Sequence, residues 1–150
     1  MLTLQEISDR LEIEELIVRY SHALDTKDWD AWQALFTPDA TIDYTEMGGI
    51  RGGVAEVRAW LEEVMAWPVS YQHLVANTVL DWDDDDHVRA RTICHNPMVL
   101  DDGKGGTHVF FCGLWYLDRI VRTPEGWRFA ERAEERSYFH NTPEGMPVPG

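Results

Sequence analysis

The sequence predicts an α+β domain, with helices first and a strongly curved antiparallel sheet after them. Three observations carry that expectation. Up to about residue 65 the apolar residues recur mainly at helical spacing. From Ser70 onward the pattern changes to strands and stays there. The later strands are long and carry aromatic pairs, among them Trp115, Tyr116, Trp127 and Phe129, which favour a sheet that curls. Helices that close such a sheet would form a cone with an apolar pocket inside it.

The elements follow in order. Thr3-Leu4-Gln5-Glu6 has the form of a capping box, so the first helix is expected to begin at about Leu4. Leu4, Ile7, Leu11, Leu16, Ile17, Tyr20 and Leu24 give it an apolar stripe that runs out at Asp25. Asp28 is a suitable N-cap for a second helix carrying Trp32, Leu35 and Phe36, which Pro38 should stop. Ala40, Ile42 and Tyr44 alternate with polar residues as a strand does, which places Tyr44 on its apolar face. After the Gly48-Gly49 and Gly52-Gly53 pairs, Val54, Val57, Leu61, Val64 and Met65 predict a third helix that ends before Pro68. Tyr71–Trp82 and His87–Leu100 then flank an acidic hairpin tip, and Thr107–Val121 pairs with Gly126–Phe139 across a Pro/Gly turn. Residues 141–150 read as a loose Pro/Gly-rich tail. No internal repeat or linker divides the chain, so residues 1–150 are expected to form one domain.

Composition narrows the function classes. The formal net charge of −14 would repel nucleic acid and anionic membrane surfaces alike. No apolar run approaches the roughly 18 residues of a membrane span. The first residues lack a signal-peptide core, and Cys94 and Cys112 sit in apolar strand patterns as buried thiols would, so a cytoplasmic protein is expected. The Asp83–Asp86 run lacks the glycine and the closing glutamate of a calcium loop. Zinc-ligand spacing, a nucleophile elbow, a P-loop and a dinucleotide fingerprint are all missing, so no metal and no cofactor is expected.

Two residues hold the chemical interest. His73 lies on the face of Tyr71, Val75, Asn77 and Val79 if strand alternation holds. Alone, a histidine on such a face reads first as a satisfied core or edge residue. Asp25 reads as a solvated turn residue beside Lys27, in an unfavourable place at the negative end of a helix. If the two meet, the carboxylate fixes one tautomer of the imidazole and makes it a general base near neutral pH. His95 and His108 lie in strands and could face inward, whereas His22, His87 and His140 read as surface residues.

The order of these elements, with ALDTKDWD, ATIDY, YQHLVAN and GWRFAER at their places, resembles the SnoaL-like branch of the nuclear-transport-factor-2-like superfamily. The resemblance covers nearly the whole chain and is greatest to the enzymes of that branch that run eliminations. Asp25–Asp30, Ile42-Asp43-Tyr44 and Gln72-His73 are similar to stretches of scytalone dehydratase. Tyr20, five residues before Asp25, and Arg136 near the end of the last strand match the bile-acid 7α-dehydratase pattern. Asp25 and His73 also occupy the dyad places of hexachlorocyclohexane dehydrochlorinase. Departures occur as well. Leu24 stands where scytalone dehydratase has a tyrosine, Met98 near where its second histidine falls, and Phe110 and Cys112 where its serine and asparagine fall.

The resemblance implies a cone fold and a cofactor-free dehydratase-type lyase acting on a small apolar, cyclic or polyketide-like molecule. In it His73, Asp25 and Tyr44 would be catalytic, and Tyr20, His95 and Arg136 would contact substrate. An isomerase or cyclase would use the same dyad. A non-catalytic binding protein, or a protein like the small subunit of the dioxygenases, would keep the fold without needing it. The resemblance further implies a homo-oligomer, with a trimer favoured and a dimer as the alternative.

Overall fold

The computed structural model describes residues 1–149. Three α-helices, α1 (Leu4–Thr26), α2 (Trp29–Gln33) and α3 (Val54–Val64), pack on one side of a seven-stranded sheet. Its strands are β1 (Phe36–Asp43), β2 (Arg51–Gly53), β3 (Ser70–Tyr71), β4 (Leu74–Trp82), β5 (His87–Asp101), β6 (Thr107–Thr123) and β7 (Gly126–His140). The sheet order is β2-β1-β7-β6-β5-β3, and β4 also pairs with β5. The α+β class expected from the pattern is what the chain adopts.

The capping box is formed in full: Glu6 N–H donates to Thr3 Oγ1, and Thr3 N–H donates to the Glu6 carboxylate. Along α1 the buried stripe begins at Asp9 and runs through Ile13, Leu16, Ile17, Tyr20 and Leu24. Leu4, Ile7 and Leu11 are exposed, so the first two turns of the predicted stripe do not reach the core.

Several boundaries differ from the pattern, each for a local reason. The second helix ends at Gln33, and Phe36 already belongs to β1. Pro38 lies inside that strand, within the register break between Phe36 and Thr41, where its missing N–H leaves no ladder position empty. The sheet is mixed, because β1 runs parallel to β7 while every other pair is antiparallel. The two strands are joined through nearly the whole chain, so no hairpin dictates their relative direction. The short β2 gave no period-two signal and is made by pairing of a glycine-rich segment with β1. The single strand expected over Tyr71–Trp82 is broken, with Gln72 and His73 outside β3 and β4. A further irregularity between Ala76 and Val79, with Asn77 at φ 51°, ends the simple alternation there.

A partly buried ionic cluster clamps α1 to the sheet beside the β6–β7 turn. Arg122 Nη1 and Nη2 donate to the two Asp9 oxygens, each at 2.8 Å, while Gln5 Nε2 and Trp127 Nε1 donate to Oδ1. The Arg122 bonds hold the Asp9 carboxyl below its ordinary range against the opposing effect of burial. The folded state therefore gains from an ionised Asp9 in full above the unfolded pKa, about 3.9. That gain is lost as pH falls through the lower folded value. Asp9→Asn is expected to cost about 1–3 kcal/mol at pH 7. In urea melts the gap between variant and wild type should narrow toward pH 3.

Candidate active site

The last turn of α1 carries Asp25, and Lys27 in left-handed conformation (φ 57°) then ends the helix. The break between β3 and β4 brings His73 to it. His73 Nδ1 lies 2.7 Å from Asp25 Oδ1, and the His73 backbone N–H donates to both carboxylate oxygens at 3.1–3.2 Å. Asp25 thus holds the ring and the backbone of the same residue. Tyr71 supports the pair: its hydroxyl donates to Leu24 O at 3.1 Å, and its ring meets the imidazole edge to face. The His73 side chain is 7% exposed and that of Asp25 28%.

An ionised Asp25 requires the proton on Nδ1, which leaves the Nε2 lone pair on the other edge of the ring. There Asn96 Nδ2 approaches Nε2 at 3.1 Å, as a donor to that lone pair. The Asn96 side-chain oxygen is buried and has no hydrogen-bond partner among the described residues. His73 and Asn96 both line a largely apolar cavity of about 680 Å³. Its walls come from α1 (Tyr20, Leu24), α3 (Trp60, Leu61, Val64), β5 (Asn96, Met98, Leu100), β6 (Phe110, Cys112, Leu114, Tyr116) and β7 (Glu134, Phe139). Gly49 lets two of the aromatic rings come together, since a Cβ there would lie 2.7 Å from Tyr44 Cβ and 2.8 Å from the Trp60 ring.

Tyr20 and Tyr44 line the same cavity, and their hydroxyls hydrogen-bond each other. Burial pushes the Tyr20 hydroxyl up to about 12 and raises that of Tyr44 well above its ordinary value, so both are neutral donors. Beneath them Arg132 stacks on the rings of Tyr20, Tyr116 and Phe129 at 3.9–4.1 Å. It is held bidentately by Asp118 at 2.7 Å. Burial likewise raises the free thiols of Cys94 and Cys112 to about 12, which leaves both unreactive as nucleophiles.

Other candidates lie elsewhere. His95 does not line the cavity. It stacks on Phe111, and its Nδ1 lies 3.0 Å from the Tyr138 hydroxyl. Strand alternation gives the inner face of β5 to its neighbour Asn96 instead. Tyr138 can cross toward His95 because Gly113 leaves room, a Cβ at that position falling 2.1 Å from the Tyr138 ring. Arg136, expected to contact substrate, does not line the cavity either. Its backbone N–H donates to Glu46 Oε2 at 2.9 Å and its guanidinium to the carbonyl of Pro149. The tail expected to be loose packs against the site, and Pro143–Pro147 form part of the cavity wall.

Two cavity groups, Asn96 and Glu134, were not picked out by sequence reasoning. Asn96 follows His95 in a strand read for its histidine. Glu134 lies in the charged run AERAEERS, whose composition reads as a solvated face. Its pairing opposite the aromatic Tyr116 was the signal available once the hairpin register was drawn.

Comparison with known proteins places this architecture. An uncharacterized protein of Mycobacterium tuberculosis is 45% identical over 139 residues, covering 92% of each chain. Among solved structures, a Novosphingobium aromaticivorans protein named for an aromatic ring hydroxylase superposes with a TM-score of 0.81 at 27% identity, over 91% of this chain and 94% of that one. A second protein of that bacterium, named for scytalone dehydratase, superposes with a TM-score of 0.82 at 18% identity, over 97% and 99% of the two chains, which shows a shared fold. The sequence profile of the SnoaL-like domain matches residues 5–133, and the chain belongs to that family.

Proposed function

We propose that the protein is a lyase of the dehydratase type that needs no cofactor and acts on a small, largely apolar carbonyl compound. The observation that carries this reading is the His73–Asp25 contact at 2.7 Å beside a cavity of about 680 Å³. His73 Nε2 takes a proton from the carbon next to the carbonyl, and Asp25 stabilises the imidazolium that forms. Tyr44, backed by Tyr20, donates to the carbonyl oxygen as negative charge develops there. The electron pair left on carbon then expels a leaving group from the adjacent carbon. An isomerase or cyclase shares the first step, and the name of the scytalone dehydratase neighbour supports elimination as the second.

The first step is tested without knowledge of the natural substrate. In deuterated buffer, wild-type protein should exchange the C3 protons of 4-phenylbutan-2-one faster than buffer alone, followed by proton NMR. A rate equal to buffer at saturating protein would end the general-base reading.

Asn96 enters this reaction through the base. In the free site its amide occupies the Nε2 lone pair, and a substrate C–H must displace it. Once Nε2 is protonated, the unpartnered Asn96 oxygen can accept that proton if the amide turns over. Asn96→Leu keeps the size and removes both interactions. The bond to the charged imidazolium, about 1.5–3 kcal/mol, outweighs the neutral one lost from the free site, about 0.5–1.5 kcal/mol, so the net loss in exchange rate should be roughly tenfold. Thermal melting should show the fold intact.

A further inference from the structure

Within the cavity, one acidic group has no role in the scheme above. Glu134 projects from β7, in register with Tyr116 on β6, and lines the cavity together with Tyr20, Tyr44, His73 and Asn96. Among the described residues nothing hydrogen-bonds its carboxyl, and no cation lies within ion-pair distance. Arg132, two residues away and on the same side of the strand, is already committed bidentately to Asp118. A carboxyl is costly to leave unpartnered in an apolar wall. The residue is half-buried, and the tyrosines and thiols of the same wall feel its charge.

We propose that Glu134 is a second catalytic residue, an acid that delivers its proton to the leaving oxygen of the substrate. The pocket's substrates are then neutral β-hydroxy carbonyl compounds that lose their hydroxyl as water. This assignment rests on His73 as the base and adds the other half of the elimination. His73 Nε2 takes the α proton, the C–H electron pair becomes the carbon–carbon double bond, and the C–O bond breaks. The Glu134 proton converts the departing hydroxide into water. The site is left with an imidazolium and a carboxylate, and proton exchange with water returns both to their starting forms.

Electrostatics agree with the geometry. Burial pushes the Glu134 carboxyl up to about 8, with Arg132 opposing that rise and Asp43 adding to it. A carboxylic acid is therefore available near neutral pH, as a general acid requires. Hydroxide is a poor leaving group, whereas acetate and halides leave without an acid. A proton donor in the same cavity as the base thus favours alcohol substrates over these.

The test uses wild type and Glu134→Gln, with two independent readouts. The first is infrared difference spectroscopy of the ligand-free proteins. A protonated carboxyl band should be present in wild type at pH 7, fade as pH rises through about 8, and be missing in Glu134→Gln. The second is turnover of 4-hydroxy-4-phenylbutan-2-one to 4-phenylbut-3-en-2-one, set against elimination from its 4-acetoxy ester. Glu134→Gln should lower the first by about 10²–10⁴ and the second by less than threefold. Equal losses on alcohol and ester, an unchanged rate on the alcohol, or no carboxyl band at pH 7 would each overturn the assignment. Wild type that exchanges C3 protons of 4-phenylbutan-2-one but does not dehydrate the alcohol would also overturn it. If that exchange itself fails, the base reading falls, and the infrared band still decides whether Glu134 carries a proton.

Discussion

His73→Ala is expected to lower proton abstraction by about 10²–10⁴, the usual loss when a positioned general base is removed. The measurement is the exchange rate of 4-phenylbutan-2-one, with circular dichroism to show that the fold survives. Asp25→Asn should fall nearly as far. The amide nitrogen or oxygen can meet Nδ1, but neither stabilises the imidazolium, and the wrong tautomer becomes accessible. This variant should also lose stability, because Asp25 accepts from the His73 backbone N–H as well as from the ring. Loss of that bond loosens the break between β3 and β4 that positions the imidazole. Tyr44→Phe should cost less than either, since one donor to a developing charge is lost while the ring keeps its packing against Trp60. The order His73, Asp25, Tyr44 matters more than the sizes. A His73→Ala protein that exchanges at the wild-type rate would assign the chemistry to other residues.

The second large effect is on stability. Asp118 and Arg132 form a bidentate pair whose side chains are both fully buried. Asp118→Ala leaves the guanidinium without its counter-charge, sandwiched against three aromatic rings and cut off from water. Removal of one partner from such a pair typically costs about 3–5 kcal/mol, a large share of a domain's stability. Urea denaturation should show this as a lower midpoint with an unchanged slope. The double variant Asp118→Leu with Arg132→Met should recover much of the loss, because it removes both charges and keeps apolar volume. A single variant as stable as wild type would mean that Arg132 is satisfied by the rings alone.

These variants probe parts of the molecule that were unequally legible in the sequence. Start and end of α1, the helix from Val54 and the two long hairpins follow from caps, turns and periodicity, and the chain adopts them. These are local properties, in which each residue is read against neighbours a few positions away. Asp25 and His73 stood out as residue types in suggestive places, although no spacing in the chain measures the distance between them.

Tertiary structure decided the rest. A period of two says that His95 and Asn96 face opposite ways, but the curvature of the sheet decides which face is the inside of the cone. The β3–β4 break turns His73 out of its strand and onto Asp25. Return of β7 beside β1, parallel and far apart in sequence, carries Glu134 inward, although its neighbours in the chain read as a solvated run. By itself the sequence determined the class of fold, the elements and the residue types from which a base could be made. Closure of the cone, which depends on bulges and long-range pairing, decided which of those residues share a cavity.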